Sequence, residues 1–207
     1  MKSINQFDIS ANEWDLDSVK VARAKAVSKA IIKNMRIRPG MHALEYGCGT
    51  GLLSFALQPE LERITLADNS LGMLRVLQAK IADAGVANMR AIQLDLEKDP
   101  LPSERYDLVC SLMTFHHIND TSQLLNSMFC MLSSGGFLCV ADLDAEDGSF
   151  HGEGFTGHHG FDRVEFERLV VQAGFANVSF TTVFQMSKAE SKAQRDFPLF
   201  LMVAEKR

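Results

Sequence analysis

The hydrophobic pattern along the chain changes repeatedly between helical spacing and short continuous apolar runs. Such runs, bounded by glycine or polar clusters, are typical of buried strands. The predicted strands are residues 41–46, 63–67, 89–94, 106–112, 137–143, 178–185 and 199–205. The predicted helices are residues 18–35, 52–57, 70–84, 121–132 and 163–173. Residues 1–17 are polar with isolated aromatics, which predicts a loosely structured arm.

The alternation of these elements predicts the fold class. Strands separated by helices imply right-handed crossovers and a parallel sheet covered on both faces. The last two predicted strands have no helix between them and should form an antiparallel hairpin. We therefore predict a three-layer α/β fold with a seven-stranded, mostly parallel sheet and a C-terminal antiparallel hairpin. All 207 residues are assigned to a single domain.

Composition and charge exclude several classes of partner. The chain is 46% hydrophobic and 23% charged, as is usual for a soluble globular protein. Its net charge of -5 gives no general attraction to phosphate backbones or anionic lipid, so nucleic acid is not an expected partner. No apolar stretch suits a bilayer or a signal peptide, and the four cysteines show no Cys-x-x-Cys spacing. These features predict a soluble, cytoplasmic protein without membrane contact and leave its oligomeric state open.

A glycine-rich turn follows the first predicted strand, with the pattern Glu45-x-Gly47-x-Gly49-x-Gly51. Glycine permits a tight turn and a close approach of the backbone to a ligand. The free N–H groups at the start of the next helix can hold an anionic group such as a carboxylate. A dinucleotide fingerprint would need its third glycine at the position of Leu52, so the spacing argues against NAD.

Together with acidic residues at the next two strand ends, this turn resembles the class I methyltransferases. Asp68 ends the second predicted strand, Asp95 follows the third, and residues 106–111 and 132–136 match the later motifs of the family. The resemblance implies a Rossmann-like fold and S-adenosyl-L-methionine as cofactor, with Asp68 on the ribose hydroxyls and Asp95 on the adenine amino group. The cofactor-binding residues that it implies are Glu45, Gly47, Cys48, Gly49, Gly51, Asp68, Asn69, Met73, Asp95, Leu96 and Ser111.

Five of the six histidines fall in two groups, behind the fourth and fifth predicted strands. Methyl transfer depends chiefly on alignment, and a general base is useful only where the acceptor carries a proton. Because the two groups should meet at one edge of the sheet, His117 and His151 are our candidates for a general base. The candidate substrate-binding residues are Trp14, His116, Phe155, His158 and His159. The alternative is that these histidines only pack or cap loops.

The predicted site includes two mobile parts and no metal. Residues 1–17 resemble the arm that covers the site in many small-molecule methyltransferases, and residues 144–161 are expected to form an active-site loop. The histidines, with Asp142 or Asp144, offer ligands for a divalent ion, but their spacing fits no standard zinc pattern and no metal is predicted.

The acceptor class follows from a motif that the sequence lacks. The Asn/Asp-Pro-Pro-Tyr/Phe motif of enzymes that methylate amide or exocyclic base nitrogens is replaced here by residues 111–114. This departure argues against amide and exocyclic base nitrogens and leaves oxygen, carbon, sulfur and other nitrogen acceptors open. Small insertions and the absence of a second domain favour a small acceptor, so we predict in-line transfer of a methyl group to a small molecule. A methyltransferase of protein or RNA, a non-catalytic module that binds S-adenosylmethionine, and a nicotinamide oxidoreductase remain alternatives.

Overall fold

The strands of the computed structural model form one sheet. The structure describes the backbone of residues 4–190 and 193–207 and the side chains of residues 6–188 and 195–207. The strands are His42–Tyr46 (β1), Arg63–Asp68 (β2), Met89–Gln93 (β3), Tyr106–Leu112 (β4), Leu132–Leu143 (β5), Ala176–Glu190 (β6) and Ala193–Glu205 (β7). Their order is β3-β2-β1-β4-β5-β7-β6, and β7 is antiparallel to both neighbours whereas the other pairs are parallel. The predicted fold class is confirmed.

Four of the described α-helices begin after residues whose side chains cap their first turns. The α-helices of the described residues are Ile4–Ser10 (α1), Ser18–Asn34 (α2), Leu52–Leu57 (α3), Leu71–Ala84 (α4), Thr121–Met131 (α5) and Arg163–Gln172 (α6). Ser70 caps α4 by accepting the Met73 N–H, and Asp120 caps α5 in the same way. Short 3-10 helices span Ala11–Leu16, Gln58–Glu60 and Phe115–His117.

Apolar side chains cover both faces of the sheet. Helices α2, α3 and α4 pack on one face, and α5 and α6 pack on the other. Neighbouring residues of a strand point to opposite faces, so Ala43 joins the first core and Leu44 the second. This double burial explains why the central strands appear in the sequence as continuous apolar runs. Among the described helices, none combines the length and apolarity that a bilayer crossing requires.

The prediction of a loosely structured arm is wrong for the part of the arm that is described. Residues 1–3 lie outside the described residues, but α1 and the 3-10 helix Ala11–Leu16 follow directly. Both helices pack against α4. The polar side chains in this stretch, among them Asp8 and Asp15, hydrogen-bond to α4 and to the glycine-rich turn. The polar pattern therefore belongs to a docked surface.

Two predicted element ends also differ from the structure. The hairpin of β6 and β7 pairs from Ala176 with Glu205 to Glu190 with Ala193, well beyond the predicted strands. Strand β5 begins at Leu132, because α5 ends earlier and the glycines at 135 and 136 belong to an irregular stretch of the β4–β5 pairing. In both places backbone pairing extends the strand through residues that lack an apolar pattern.

Candidate active site

The glycine-rich turn after β1 is shaped by close neighbours. Gly47 and Gly49 have φ angles of 70° and 53°, in the region that favours glycine. A Cβ atom at Gly47 would lie 2.3 Å from the side chain of Thr114, so no larger residue fits there. A Cβ atom at Gly49 would instead point into a space bounded by Trp14 Nε1 at 3.8 Å and Met73 Sδ at 3.9 Å. Trp14 and Met73 thus lie over the glycine-rich turn at Gly49.

Glu45 holds this turn against the helix that follows it. Its buried carboxylate accepts hydrogen bonds from the backbone N–H of Ser54, at 3.0 Å, and from the Ser54 hydroxyl. Gly51 precedes α3 with a φ of 81° and completes the change of direction. Burial raises the pKa of the Glu45 carboxyl from 4.5 to about 8, against the opposing effect of the Ser54 hydrogen bonds. Glu45 therefore connects the end of β1 to the first turn of α3.

Asp68, at the end of β2, lies against the same turn. Its Oδ2 accepts the Gly49 N–H at 2.7 Å, and its Oδ1 accepts the Ser70 N–H at 2.8 Å. Burial raises the pKa of the Asp68 carboxyl, although the backbone hydrogen bonds from Ser70 and Gly49 oppose this effect. Asn69, which follows directly, is exposed. The carboxylate predicted to bind a ribose thus lies directly beside Gly49 of the glycine-rich turn.

Asp95 follows β3, the strand next to β2 in the sheet. Its Oδ2 pairs with the Lys98 ammonium group at 2.6 Å, and only 13% of its side chain is exposed. The N–H of the neighbouring Leu96 donates to the hydroxyl of Tyr46, at 3.2 Å, and so ties this turn to the end of β1. Asp68 and Asp95 therefore stand at adjacent strand ends on one edge of the sheet.

Three other predicted cofactor residues have buried side chains. Ser111 donates its hydroxyl to the carbonyl of Tyr46 at 2.9 Å, so this group joins β4 to β1. Burial raises the pKa of the Cys48 thiol well above its ordinary value. Met73 is buried in the first turn of α4, with its sulfur facing Gly49. Direct cofactor contact by Ser111 and Cys48 stays a prediction.

The N-terminal arm is joined to α4 through Asp8. Its Oδ1 accepts the Ser70 hydroxyl at 2.6 Å and the Gly72 N–H at 2.7 Å. A Cβ atom at Gly72 would lie 2.6 Å from the Cα atom of Asp8. The arm therefore approaches α4 at a point where only glycine leaves enough room.

A second carboxylate, Asp15, joins the arm to the glycine-rich turn. It accepts the Thr50 hydroxyl and pairs with the Lys80 ammonium group, both at 2.5 Å. Between the two anchors, Phe7 packs edge-on against Trp14, with ring centroids 5.9 Å apart. Phe7 also packs edge-on against His117, at 5.4 Å. The arm thus extends from the glycine-rich turn to His117.

Three histidines from two loops form a compact group, which we call the histidine cluster: His116, His117 and His151. The ring of His116 lies 4.1 Å from that of His117 and 4.9 Å from that of His151. Phe155 stacks on His151 at 3.9 Å. The prediction that the loops after β4 and β5 bring histidines together therefore agrees with the geometry, because these strands are neighbours in the sheet.

A buried carboxylate orients one member of the histidine cluster. Asp142 Oδ1 lies 2.6 Å from His116 Nδ1, and both side chains are almost completely buried. Asp142 also accepts the backbone N–H groups of His116, at 3.3 Å, and Leu143, at 2.8 Å. Burial raises the pKa of the Asp142 carboxyl, but the charge and hydrogen bonds of His116 outweigh this effect and lower it. With Nδ1 donating to Asp142, the neutral form of the His116 ring has Nε2 as its acceptor or ligand atom.

The other two candidate histidines lie outside the cluster. The His158 ring donates to the carbonyl of Ile118 at 3.0 Å, and its backbone N–H donates to the carbonyl of His116 at 2.8 Å. His159 is 46% exposed and lies 3.4 Å from a carboxylate oxygen of Glu146. His158 anchors the loop that carries Phe155, and a substrate contact by either residue stays a prediction.

Two contributors were missed as site residues in the sequence. Thr114 fills the space that Gly47 leaves, and Asp142 orients His116, although Asp142 was considered only as a metal ligand. Asp142 lies near the end of β5 and His116 follows β4. The adjacency of these two strands is the signal from which the pair could have been inferred.

The chain is similar in sequence to known methyltransferases. A family profile described as "Methyltransferase domain" matches residues 43–136. An uncharacterized methyltransferase of Schizosaccharomyces pombe is 29% identical over 181 residues, which are 80% of this chain and 62% of that protein. A ubiquinone/menaquinone biosynthesis C-methyltransferase of Vibrio vulnificus is 33% identical over 109 residues, or 51% of this chain and 42% of that protein. The chain thus spans less than two thirds of the length of these relatives.

The fold is similar to that of a solved methyltransferase structure. A SAM-dependent methyltransferase of Thermotoga maritima superimposes with a TM-score of 0.72 at 18% identity, covering 99% of this chain and 100% of that one. At this identity the likeness shows the fold alone. The chain is therefore similar to methyltransferases in sequence over residues 43–136 and in its Rossmann-like fold over nearly its whole length.

Proposed function

We propose that this chain transfers a methyl group from S-adenosyl-L-methionine to a small-molecule acceptor by in-line displacement. The observation that carries the proposal is the position of Asp68, hydrogen-bonded to Gly49 of the glycine-rich turn and at the strand end next to that of Asp95. When bound, the cofactor supplies a sulfonium-linked methyl group to a nucleophile. The protein then has to hold the two reactants in line and keep water away.

The residues around the glycine-rich turn have the chemistry that this cofactor needs. The two oxygens of Asp68 can accept hydrogen bonds from two ribose hydroxyls, and the carboxylate of Asp95 can accept a hydrogen bond from the amino group of adenine. Because glycine permits a close approach of the backbone, the glycine-rich turn would enclose the methionine part of the cofactor, as its resemblance to the family motif implies. Trp14 Nε1 and Met73 Sδ lie 3.8 Å and 3.9 Å from where a Cβ atom at Gly49 would stand, so these two side chains would border the cofactor.

The acceptor side of the proposed site is bounded by aromatic and histidine side chains. Phe7 and Trp14 extend from the glycine-rich turn to His117, and Phe155 borders the histidine cluster from the other side. We propose that residues 1–17 act as a lid, that residues 144–161 act as the active-site loop, and that both belong to the same single domain. An acceptor covered by such short segments is a small molecule, and the net charge of -5 adds no attraction for RNA.

The histidine cluster is proposed to promote loss of a proton from the acceptor. His117 and His151 both pack against Phe155, and His116 is oriented by Asp142. A positioned group of this kind contributes about 10²–10⁴-fold to the rate where the acceptor is protonated.

A cytoplasmic location is part of the proposal, supported by four free cysteines.

The proposal is tested by incubating the purified chain with methyl-labelled S-adenosylmethionine and separate cell fractions of small molecules, RNA and protein. We expect label in the small-molecule fraction, and we expect Asp68→Asn to remove most of it while Asp83→Asn, an exposed carboxylate on α4, does not. Label in RNA or protein would replace the small acceptor by a macromolecule. Binding of the cofactor without transfer to any fraction would instead favour a non-catalytic module.

A further inference from the structure

The histidine cluster has the donor atoms of a metal site. One ring nitrogen from each of His116, His117 and His151 lies within 4.8 Å of those of the other two. His116 is buried and the other two are partly buried, so the three nitrogens converge in a sheltered space. Neutral imidazole is the commonest protein ligand for Zn²⁺ and related ions. The sequence spacing conceals this group, because its members come from loops behind two adjacent strands.

The surroundings of the cluster orient its rings. Asp142 accepts a hydrogen bond from His116 Nδ1 at 2.6 Å, which leaves Nε2 as the nitrogen of this ring that can bind a metal ion. A carboxylate behind a ligating histidine is the usual outer contact of zinc sites, where it sets the ring orientation and raises the basicity of the ligand. Phe155 stacks on His151, and Phe7 packs edge-on against His117. Each of the three rings therefore has a neighbour that restricts its rotation.

We infer that His116, His117 and His151 bind a divalent metal ion, with Zn²⁺ the best match, and leave one coordination position to the methyl acceptor. Three imidazoles with an open fourth position are a catalytic zinc arrangement, whereas Mg²⁺ and Ca²⁺ prefer oxygen ligands. Zn–N bonds of about 2.0–2.1 Å in a tetrahedron separate the nitrogens by about 3.4 Å, so the rings close by small rotations. This inference rests on the proposed function for the identity of the fourth ligand.

The metal site specifies the class of acceptor and the fate of its proton. An acceptor with a hydroxyl or thiol group, bound at the open position, loses its proton to solvent because coordination lowers the pKa of the group. The freed lone pair of the acceptor oxygen or sulfur forms the bond to the methyl carbon as the carbon–sulfur bond of the sulfonium breaks. The electron pair of that bond stays on the cofactor sulfur, so no oxidant or reductant is needed.

Metal titration of the full chain without an affinity tag tests the inference. Chelator-treated protein is titrated with Co²⁺, whose visible absorption reports tetrahedral coordination, and the bound Co²⁺ is then displaced by Zn²⁺. We expect one saturable site per chain, loss of the visible bands in His117→Ala and His151→Ala, and retention of the bands in His42→Ala. His42 is the matched control because it lies on β1, outside the cluster.

The variant Asp142→Asn tests whether Asp142 supports metal binding, because Zn²⁺ affinity would not change if Asp142 only packed against His116. We expect this variant to keep the visible bands but to weaken Zn²⁺ affinity by about 10–100-fold, as for other outer carboxylates. Titration with S-adenosylhomocysteine in the absence of metal shows that each variant is folded. Equal Co²⁺ affinity in wild-type, His117→Ala and His151→Ala protein would overturn the inference.

The same titrations distinguish failure of the metal site from failure of the proposed function. Wild-type protein that binds S-adenosylhomocysteine but gives no saturable Co²⁺ bands contradicts the metal site and leaves the methyltransferase proposal intact. Wild-type protein that binds Co²⁺ at the cluster but does not bind S-adenosylhomocysteine contradicts the methyltransferase proposal and leaves the metal site intact.

Discussion

Glu45 is a buried acid whose proton couples folding to pH. Its pKa is raised from 4.5 to about 8 by burial, so the folded chain keeps this proton over a range where the unfolded chain releases it. The free energy of unfolding therefore falls as pH rises from 4.5 to 8, by up to about 1.4 kcal/mol per pH unit for this one group. Glu45→Gln should remove this contribution and flatten the decline.

The prediction for Glu45 is measured by urea denaturation at several pH values between 4.5 and 8. The exposed carboxylate variant Glu60→Gln serves as control and should keep the wild-type slope. Identical slopes for wild-type and Glu45→Gln protein would mean that the Glu45 carboxyl ionises at an ordinary pH in the folded chain.

Alanine at Gly49 should weaken cofactor binding in addition to straining the backbone, and a control variant tells the two effects apart. A methyl group at this position meets only ordinary contacts in the absence of ligand, but it fills the space beneath Trp14. Gly49→Ala should lose about 1–2 kcal/mol of stability from its positive φ and most of its affinity for S-adenosylhomocysteine. Gly85→Ala, with a φ of 63° and open surroundings, should lose stability by a similar amount and bind normally. Thermal denaturation and calorimetric titration measure the two effects, and equal binding by both variants contradicts this role of Gly49.

Residues whose role follows from local chemistry could be predicted from the sequence. Glu45 and Asp68 occupy strand ends, and the sheet places them where the motif order implies. Ser111 and His158 could not be judged in this way, because their partners are backbone carbonyls distant in the sequence, at Tyr46 and Ile118. A polar residue in a motif can serve the fold or the ligand, and the sequence does not distinguish the two uses.

At the scale of elements, the N-terminal arm shows why a polar stretch that predicts a loose arm can instead form docked helices. Its carboxylates have partners more than thirty residues away, Asp8 at Ser70 and Asp15 at Thr50. Sequence periodicity reports burial against apolar neighbours and does not register docking through hydrogen bonds. The hairpin of β6 and β7 was predicted too short for a related reason, since cross-strand pairing carried it past its apolar segment.

Gly72→Ala should detach the arm without damaging the core. The added Cβ atom would lie 2.6 Å from the Asp8 backbone, whereas α4 itself tolerates alanine, the better helix former. Trp14 is the only tryptophan, so its fluorescence reports the arm. We expect a red shift of the emission, faster dissociation of S-adenosylhomocysteine and an unchanged core in thermal denaturation. Wild-type emission and dissociation rate in this variant would contradict a docked arm. Gly85→Ala, at the other end of α4, is the control for the emission and the dissociation rate.

At the scale of the whole molecule, the sheet order assembles the site from separate motifs. Strands β1, β2 and β3 bring the glycine-rich turn, Asp68 and Asp95 to one edge, and β4 and β5 bring the histidine cluster beside them. Crossover handedness made the parallel sheet predictable from the alternation of elements. The contact of His116 with Asp142 was not predictable as a pair, because it depends on which residue of each loop turns inward.

Calorimetric titration with S-adenosylhomocysteine tests the central claim of cofactor binding most directly. We expect one molecule bound per chain, affinity reduced by about 10–100-fold in Asp68→Asn through loss of charge-assisted hydrogen bonds, and wild-type affinity in Asp83→Asn. NAD should give no heat of binding. Saturable binding of NAD without binding of S-adenosylhomocysteine, or equal affinity in the Asp68 and Asp83 variants, would contradict the account.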